Sequence, residues 1–323
     1  MDCSSGEMPT IRALRPTDFV SLISFFRHDA HREVTAPLWP DMREGCDGRG
    51  CWGFVSRLIT RGSGSQVWLS LGNGGVRGLA IAHPRAGKLA WDVEDLFVAE
   101  SDRSAGVDLL EHLAGEAARR GARRLFLVTR VDGDTARIAS NAGFVHYTSE
   151  ILYFARLPAA VGYDGLRRAR PRLRQDTPAL FNLYNAAVPC NVRSAEAMTM
   201  DEWLSLERGG RLWAPSLGGS RQHFVWESGN SLAGWLQITF GGKSQHLELL
   251  VHPNERAATE EMLLYSLTQT SPRAPVYVTV RDYQGELASL LEALGFRPAA
   301  DYLVFAHQLA VRVPGRALVP VRA

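Results

Sequence analysis

One pattern is written twice along this chain, and that repetition constrains the fold more than any other feature. In each copy an acidic, apolar stretch runs into Val, then a short polar loop carrying Arg, then an amphipathic run of helical period. The first copy is VEDLFVAESDRSAGVDLL (93–110) and the second is LELLVHPNERAATEEMLL (247–264). Val98 and Val251 stand 153 positions apart, as do Arg103 and Arg256, while the Gly-Phe pairs at Gly143 and Gly295 stand 152 apart. A period near half of the 323 residues means two copies of one domain, not a short-period solenoid. Each copy, at about 150 residues, is large enough to bury its own core.

Composition narrows the function classes. A net charge of +2 supplies no bulk attraction to nucleic acid or to a membrane surface, so neither is expected as a partner. The longest apolar runs are strand-length, well short of the roughly 20 residues that span a bilayer. MDCSSGEMPT at the N-terminus has neither a basic nor an apolar leader region, which makes the cytoplasm the expected location. The four cysteines (Cys3, Cys46, Cys51, Cys190) are too scattered for a disulfide framework. Cys46 and Cys51 have no second ligand pair at zinc spacing, so no metal is expected.

Local signals predict the order β-α-α-β-β-β-α-β-α-β in the first half. Strands are expected at 66–72 and 76–84 around Asn73-Gly74, a hairpin turn, and then at 88–99, 123–131 and 144–157. Helices are expected from about Asp18 to Arg27, from Ser104 to Arg120 and from Thr135 to Gly143. The second half repeats this more loosely, with a hairpin at Gly229-Asn230 and a strand at 276–281. PAAVGYDG (158–165) reads as a linker, which divides the chain into domains 1–157 and 166–313 with a tail at 314–323.

These residues resemble the GNAT superfamily of acyl-CoA-dependent N-acyltransferases in a tandem arrangement. The resemblance rests on the strand–loop–helix of each half and the helix ending in Gly-Phe, and it covers almost the whole chain. It implies an α/β (α+β) fold of two tandem domains, each with a mixed, mostly antiparallel sheet flanked by helices. In that family the loop reads Arg/Gln-x-x-Gly-x-Gly/Ala and wraps the pyrophosphate of coenzyme A, as helix N-termini hold anions. The first half supplies Arg103, Ser104, Ala105, Gly106, Val107 and Asp108, with Asp108 in place of the second small residue. The second supplies Arg256, Ala257, Ala258, Thr259, Glu260 and Glu261, losing both glycines. The resemblance therefore implies that the first half binds acetyl-CoA or another acyl-CoA, with Phe97 and Val98 offering backbone groups to the thioester. The second half is then the structural partner.

The family's acid, a Tyr four residues before Gly-Phe, is replaced by Ala139 in one half and Leu291 in the other. For the base, Glu94 and Asp95 stand before Val98, and only one of two adjacent strand residues faces a given side. Glu248 occupies the position of Asp95 in the second copy.

Other constellations read more simply. His28 and His31 in HDAHRE, three apart, would share a helical face at the end of the first helix. Arg167, Arg168, Arg170, Arg172 and Arg174 carry no interleaved aromatics, which favours a solvated or interface strand over nucleic-acid contact. Trp68, Trp91, Trp226 and Trp235 fall in expected strands, as core residues.

Two readings follow. One is an acyltransferase acting on a small-molecule or peptide amine, with a homodimer as a further expectation. The other is a catalytically inactive pseudo-acyltransferase, kept as a ligand-binding or protein-interaction module. Acyl-CoA binding separates them.

Overall fold

A computed structural model describes residues 10–28, 30–35, 66–72, 75–85, 89–100, 102–131, 134–156, 169–209, 220–241 and 244–310. Expectations for Cys3, Cys46, Cys51, Asn73-Gly74, the linker, Arg167, Arg168 and the tail lie outside these residues.

The first half contains strands β1 (Thr10–Ala13), β2 (Ala30–Thr35), β3 (Gln66–Gly72), β4 (Gly75–Pro84), β5 (Ala90–Ala99), β6 (Arg124–Arg130) and β7 (Val145–Ala155). Its helices are α1 (Phe19–His28), α2 (Ser104–Arg119) and α3 (Thr135–Asn141). The second half contains strands β8 (Ala169–Pro171), β9 (Ser220–Ser228), β10 (Ser231–Phe240), β11 (Gln245–Val251), β12 (Val276–Arg281) and β13 (Arg297–Gln308). Its helices are α4 (Thr177–Ala187), α5 (Cys190–Glu196), α6 (Met200–Gly209), α7 (Ala257–Gln269) and α8 (Gly285–Ala293). Among the described residues, the tandem order read from the period is present, with α5 the helix that local signals missed.

One expectation fails beside α1. The helix stops at His28, and Ala30–Thr35 is a strand, so His28 and His31 share no helical face.

The two halves share one sheet, in the order β1-β3-β4-β5-β6-β13-β7-β12-β11-β10-β9-β8, with β2 also paired to β5. The centre of this order is the informative part. The last strand of each half lies in the other half: β13 pairs antiparallel with β6, β7 pairs antiparallel with β12, and β13 and β7 pair with each other. A pseudo-two-fold axis therefore runs between β13 and β7 and relates β6 to β12. Val145 and Arg297, which open the exchanged strands, stand 152 positions apart, matching the sequence period.

The repeat extends to side chains. Arg12 makes a bidentate pair with Asp18 at 2.7 and 2.6 Å, and Arg170 does the same with Asp176 at 2.7 and 2.8 Å. In each corner the carboxylate also accepts a backbone N–H, from Arg15 or Leu173, at 2.7 Å. The Arg side-chain hydrogen bond holds each carboxyl below its ordinary pKa. Arg170 also bonds Glu227, so this arginine of the stretch is ion-paired within the protein.

Alternation along the strands builds two faces. Ala80, Ala82, Leu96 and Val98 meet α2, while Leu79, Ile81, Phe97 and Ala99 meet Leu22 and Phe25 of α1. In the second half Leu247 and Leu249 meet Met262 and Leu263 of α7, and Val225, Leu232 and Trp235 meet α4 and Trp203 of α6. Gly78 and Gly234 make equivalent close approaches. A Cβ at Gly78 would lie 2.9 Å from Leu109, and one at Gly234 would meet the Met262 sulfur.

Candidate functional site

In each half two neighbouring strands run parallel and then part. β5 pairs with β6 over Ala90–Val93, and β11 pairs with β12 over Gln245–Leu247, after which no ladder joins either pair. Each parting opens toward the start of the following helix, α2 or α7. Parallel strands that diverge at their C-terminal ends leave a crevice of the kind in which α/β sheets bind ligands. The two crevices have different contents.

The first is filled by the chain itself. Strand β2 pairs with β5 from Ala30–Ala99 to Thr35–Asp95. With β4 on the opposite edge, Phe97 and Val98 carry strand neighbours on both sides. The expectation that their backbone groups are offered to a thioester thus meets a strand edge already paired on both sides. The loop is closed as well. Arg103 is paired with Asp134, and Arg77 reaches Asp102 at 2.5 Å, the Ser104 hydroxyl at 3.1 Å and Asp108 at 3.5 Å. The negative charge of Asp108 is thus answered from within the protein.

Ala105 is buried in the core, with Val107 packed against it. Gly106 faces inward too: a Cβ there would stand 3.0 Å from Ile138 and 3.2 Å from Val98. That glycine serves helix packing. Gly106→Glu is therefore expected to lower the melting temperature with or without ligand, by overpacking worth about 1–3 kcal/mol or more. A thermal melt that leaves the variant unchanged would contradict this placement. Glu94 lies 3.5 Å from His83 Nδ1, and Asp95 is buried beneath β2, so neither opens on a cleft shared with the loop.

The second crevice is open. Among the described residues no strand pairs with Leu249–Val251 on the edge facing β12; Gln284 Nε2 donates to the Leu249 carbonyl at 2.9 Å. A cleft of about 300 Å³ lies here, walled by Leu250, Val251, His252, Arg256, Thr259 and Gln284. Adjoining it is a smaller chamber of about 40 Å³, itself partly open, that includes Glu150, Tyr184, Trp203, Trp235, Glu248 and Arg281. Leu249, Leu250, Tyr283 and Gln284 line both spaces.

The chamber's electrostatics follow from burial. Glu248 is buried, and Gln237 Nε2 donates to its Oε2 at 3.2 Å, whereas Oε1 has no hydrogen-bond partner among the described residues. Loss of solvent, with the nearby charge of Glu150, pushes its carboxyl up to about 8. His246 Nδ1 lies 3.8 Å away, but burial pushes that imidazole down to about 3. At neutral pH both groups are uncharged, so the approach is no ion pair. Arg281 donates to Glu150 at 3.0 Å and to Glu196 at 2.8 Å, and Tyr184 donates to the other Glu196 oxygen. Burial raises the Tyr283 phenol above its ordinary value, keeping it an O–H donor, while Arg281 donates to its oxygen.

Glu150 arrives on β7 from the first half, so strand exchange builds this site from both copies. Sequence reasoning did not find Glu150, Tyr283 or Arg281. It placed Glu248 correctly as the counterpart of Asp95 but gave it no role. No group of three or more potential metal ligands occurs among the described residues, and no described helix is long and apolar enough to cross a membrane.

No family model and no curated protein matches this sequence. Solved structures do match its fold. A GCN5-related N-acetyltransferase from Sphaerobacter thermophilus aligns over 93% of this chain and 95% of its own, with a TM-score of 0.54 at 13% identity. A tandem GNAT protein from the clavulanic acid biosynthesis pathway, solved without AcCoA, aligns over 94% and 100%, with a TM-score of 0.50 at 14% identity. An acetyltransferase assigned as such from Pyrococcus horikoshii aligns over 94% and 90%, with a TM-score of 0.51 at 12% identity. At such identities the likeness concerns fold, and fold does not fix activity. With the repeat in sequence and the paired crevices in structure, it is enough to conclude that this chain has the GNAT fold, built twice in tandem.

Proposed function

We propose that the protein is an acyl-CoA-dependent N-acyltransferase acting on a primary amine, with its working cleft in the second half. One observation carries the reading: a buried carboxyl with an open lone pair, Glu248, faces a chamber that joins an open strand-edge cleft. The first half then serves as scaffold and as donor of β7. That inverts the division of labour expected from the loop glycines.

The residues of the outer cleft suit acyl-CoA. The free edge of Leu249–Val251 presents backbone groups as an edge strand does to an extended ligand. Arg256, with 76% of its side chain exposed at the start of α7, would meet phosphate groups near a helix N-terminus. The missing glycines limit how closely the loop backbone can approach, and Glu255 is already engaged by Ser228 at 2.6 Å. The co-substrate supplies a thioester carbonyl. In the transfer the amine nitrogen forms the new N–C bond as the C–S bond breaks. Glu248, as carboxylate, takes the proton the amine gives up, and Tyr283 returns a proton to the departing sulfur. Tyr283 lines both spaces, which suits that role; it substitutes for the Tyr absent at Leu291.

Calorimetric titration with acetyl-CoA tests the reading. One site is expected, weakened at least about tenfold by Arg256→Glu, a loss of about 1.4 kcal/mol, and unchanged by Arg103→Glu. Both positions are exposed enough to substitute without disturbing a core. Binding lost through Arg103 instead would return the cleft to the first half. No binding of any acyl-CoA would favour the inactive module.

A further inference from the structure

The outer cleft also limits how much of a thioester donor it can read. We propose that it recognises a thioester of 4′-phosphopantetheine as far as its single phosphate, and leaves a nucleotide beyond that phosphate unread. This deepens the reading above and rests on it for the donor's placement along β11.

The backbone at the start of α7 restricts the phosphate site. A diphosphate cradle needs several consecutive N–H groups that have no acceptor inside the protein. Here Glu255 N donates to the His252 carbonyl at 2.9 Å, Ala258 N to that of Glu255 at 2.8 Å, and Thr259 N to that of Arg256 at 2.9 Å. From Glu255 to Thr259, only Arg256 and Ala257 keep backbone N–H groups without an acceptor among the described residues. Two adjacent N–H groups and one guanidinium match the oxygens of one phosphate. The turn is also held from below, because Ala258 and Thr259 are buried and Ala258 packs in the core with Met262 and Leu263.

Charge gives the same answer by a separate route. Arg256 is the one Arg or Lys among the described residues lining the cleft, and it stands 3.9 Å from Glu286 of α8, which lines the cleft too. Glu255 precedes it, and Glu260 follows in the first turn of α7. One phosphate can take the place of Glu286 at Arg256. The second phosphate of a diphosphate, and the 3′-phosphate of coenzyme A, would meet these carboxylates instead. Like charges so placed repel.

The opposite end of the donor is marked by Glu248. Its Oε1 is buried, without a hydrogen-bond partner among the described residues, in the chamber that adjoins the cleft. Between the two ends, Leu249–Val251 offers a strand edge to the amides of the pantetheine arm. The protein thus has groups in place for a thioester, an amide arm and one phosphate.

Calorimetry on the full chain tests this with acetyl-CoA, S-acetyl-4′-phosphopantetheine and S-acetylpantetheine. The first two are expected to bind within about threefold of each other, and the third at least about tenfold more weakly. Arg256→Gln is expected to bring S-acetyl-4′-phosphopantetheine down to the level of S-acetylpantetheine, whose own affinity stays unchanged. Acetyl-CoA binding tighter than S-acetyl-4′-phosphopantetheine by about tenfold or more overturns the proposal alone and leaves the acyltransferase reading standing. Equal affinity for the thioesters with and without the phosphate also overturns it. Silence from all three overturns both. An acetylated carrier protein in the same titration separates the two sources of such an arm. Affinity matching or exceeding that of the free arm supports a protein-borne donor, and a loss of about tenfold supports the free one.

Discussion

Glu248→Gln is expected to raise the melting temperature and to remove acyl transfer in the same step. In the unfolded chain this carboxyl ionises near 4.5, and in the native protein near 8. Between those values unfolding releases a proton, so its contribution to stability falls as pH rises from about 4.5 to 8 and levels off above. Each unit of that interval is worth about 1.4 kcal/mol, which puts the cost to the wild type at a few kcal/mol at neutral pH. A neutral amide escapes it, and its oxygen can still accept from Gln237. The variant should therefore melt several degrees higher at pH 8 and no higher at pH 4.

Activity should move oppositely. Loss of a positioned base costs roughly 10²–10⁴ in kcat. In the wild type kcat should rise with pH through about 8, and that limb should vanish in Glu248→Gln. A variant that melts higher yet retains the rising limb would leave Glu248 buried but idle.

Cutting the chain between its halves is expected to have an equally large effect. Residues 1–157 end after β7, yet the strand that lies against β6 is β13. A lone first half must leave β6 unpaired on that side or find a substitute. The substitute at hand is β7 of a second copy, in the order β6-β7-β7-β6, which the pseudo-two-fold axis already permits. The fragment should thus be a dimer or insoluble, and 1–157 mixed with 158–323 should reconstitute a one-to-one complex.

A chain ending before Arg297 should not fold, because it loses Tyr302, Val304 and Phe305 from the interior along with two ladders. Each such side chain contributes about 1.5–3 kcal/mol of burial, against a total stability of about 5–15. Light scattering coupled to size exclusion decides the matter. A folded, monomeric 1–157 would refute the account of the exchanged strands.

Much of the architecture is legible in the sequence. The period survives because the chain from β5 to β7 and from β11 to β13 keeps its overall spacing, Val98 to Gly143 spanning 45 positions and Val251 to Gly295 spanning 44, although the individual elements differ in length. The corners at Arg12–Asp18 and Arg170–Asp176 escape that period, standing 158 apart, because the chain between corner and sheet differs in length. Strand exchange is not legible at all. Alternation along β7 and β13 states that they are strands, but nothing local states whose neighbour each becomes.

The proposed site is not legible in the sequence for a related reason. Glycines at Arg103–Asp108 and their absence at Arg256–Glu261 describe a loop, whereas access depends on the strand edge beside it. That edge is covered in the first half by AHREVT, a polar segment some 60 residues upstream. Tyr283 lies in a loop and Glu150 on a strand from the other copy, so no spacing rule connects them with Glu248.

A strand passed across a two-fold axis is the geometry by which two separate copies of a chain close a symmetric dimer. In such a dimer every substitution appears in both grooves at once, so neither can be lost without losing the other. Joined end to end, the copies keep the reciprocal strands but become free to differ. One groove can fill with its own β2 while the other stays open. The first half nevertheless stays indispensable, because Glu150 reaches the chamber only on the strand it contributes.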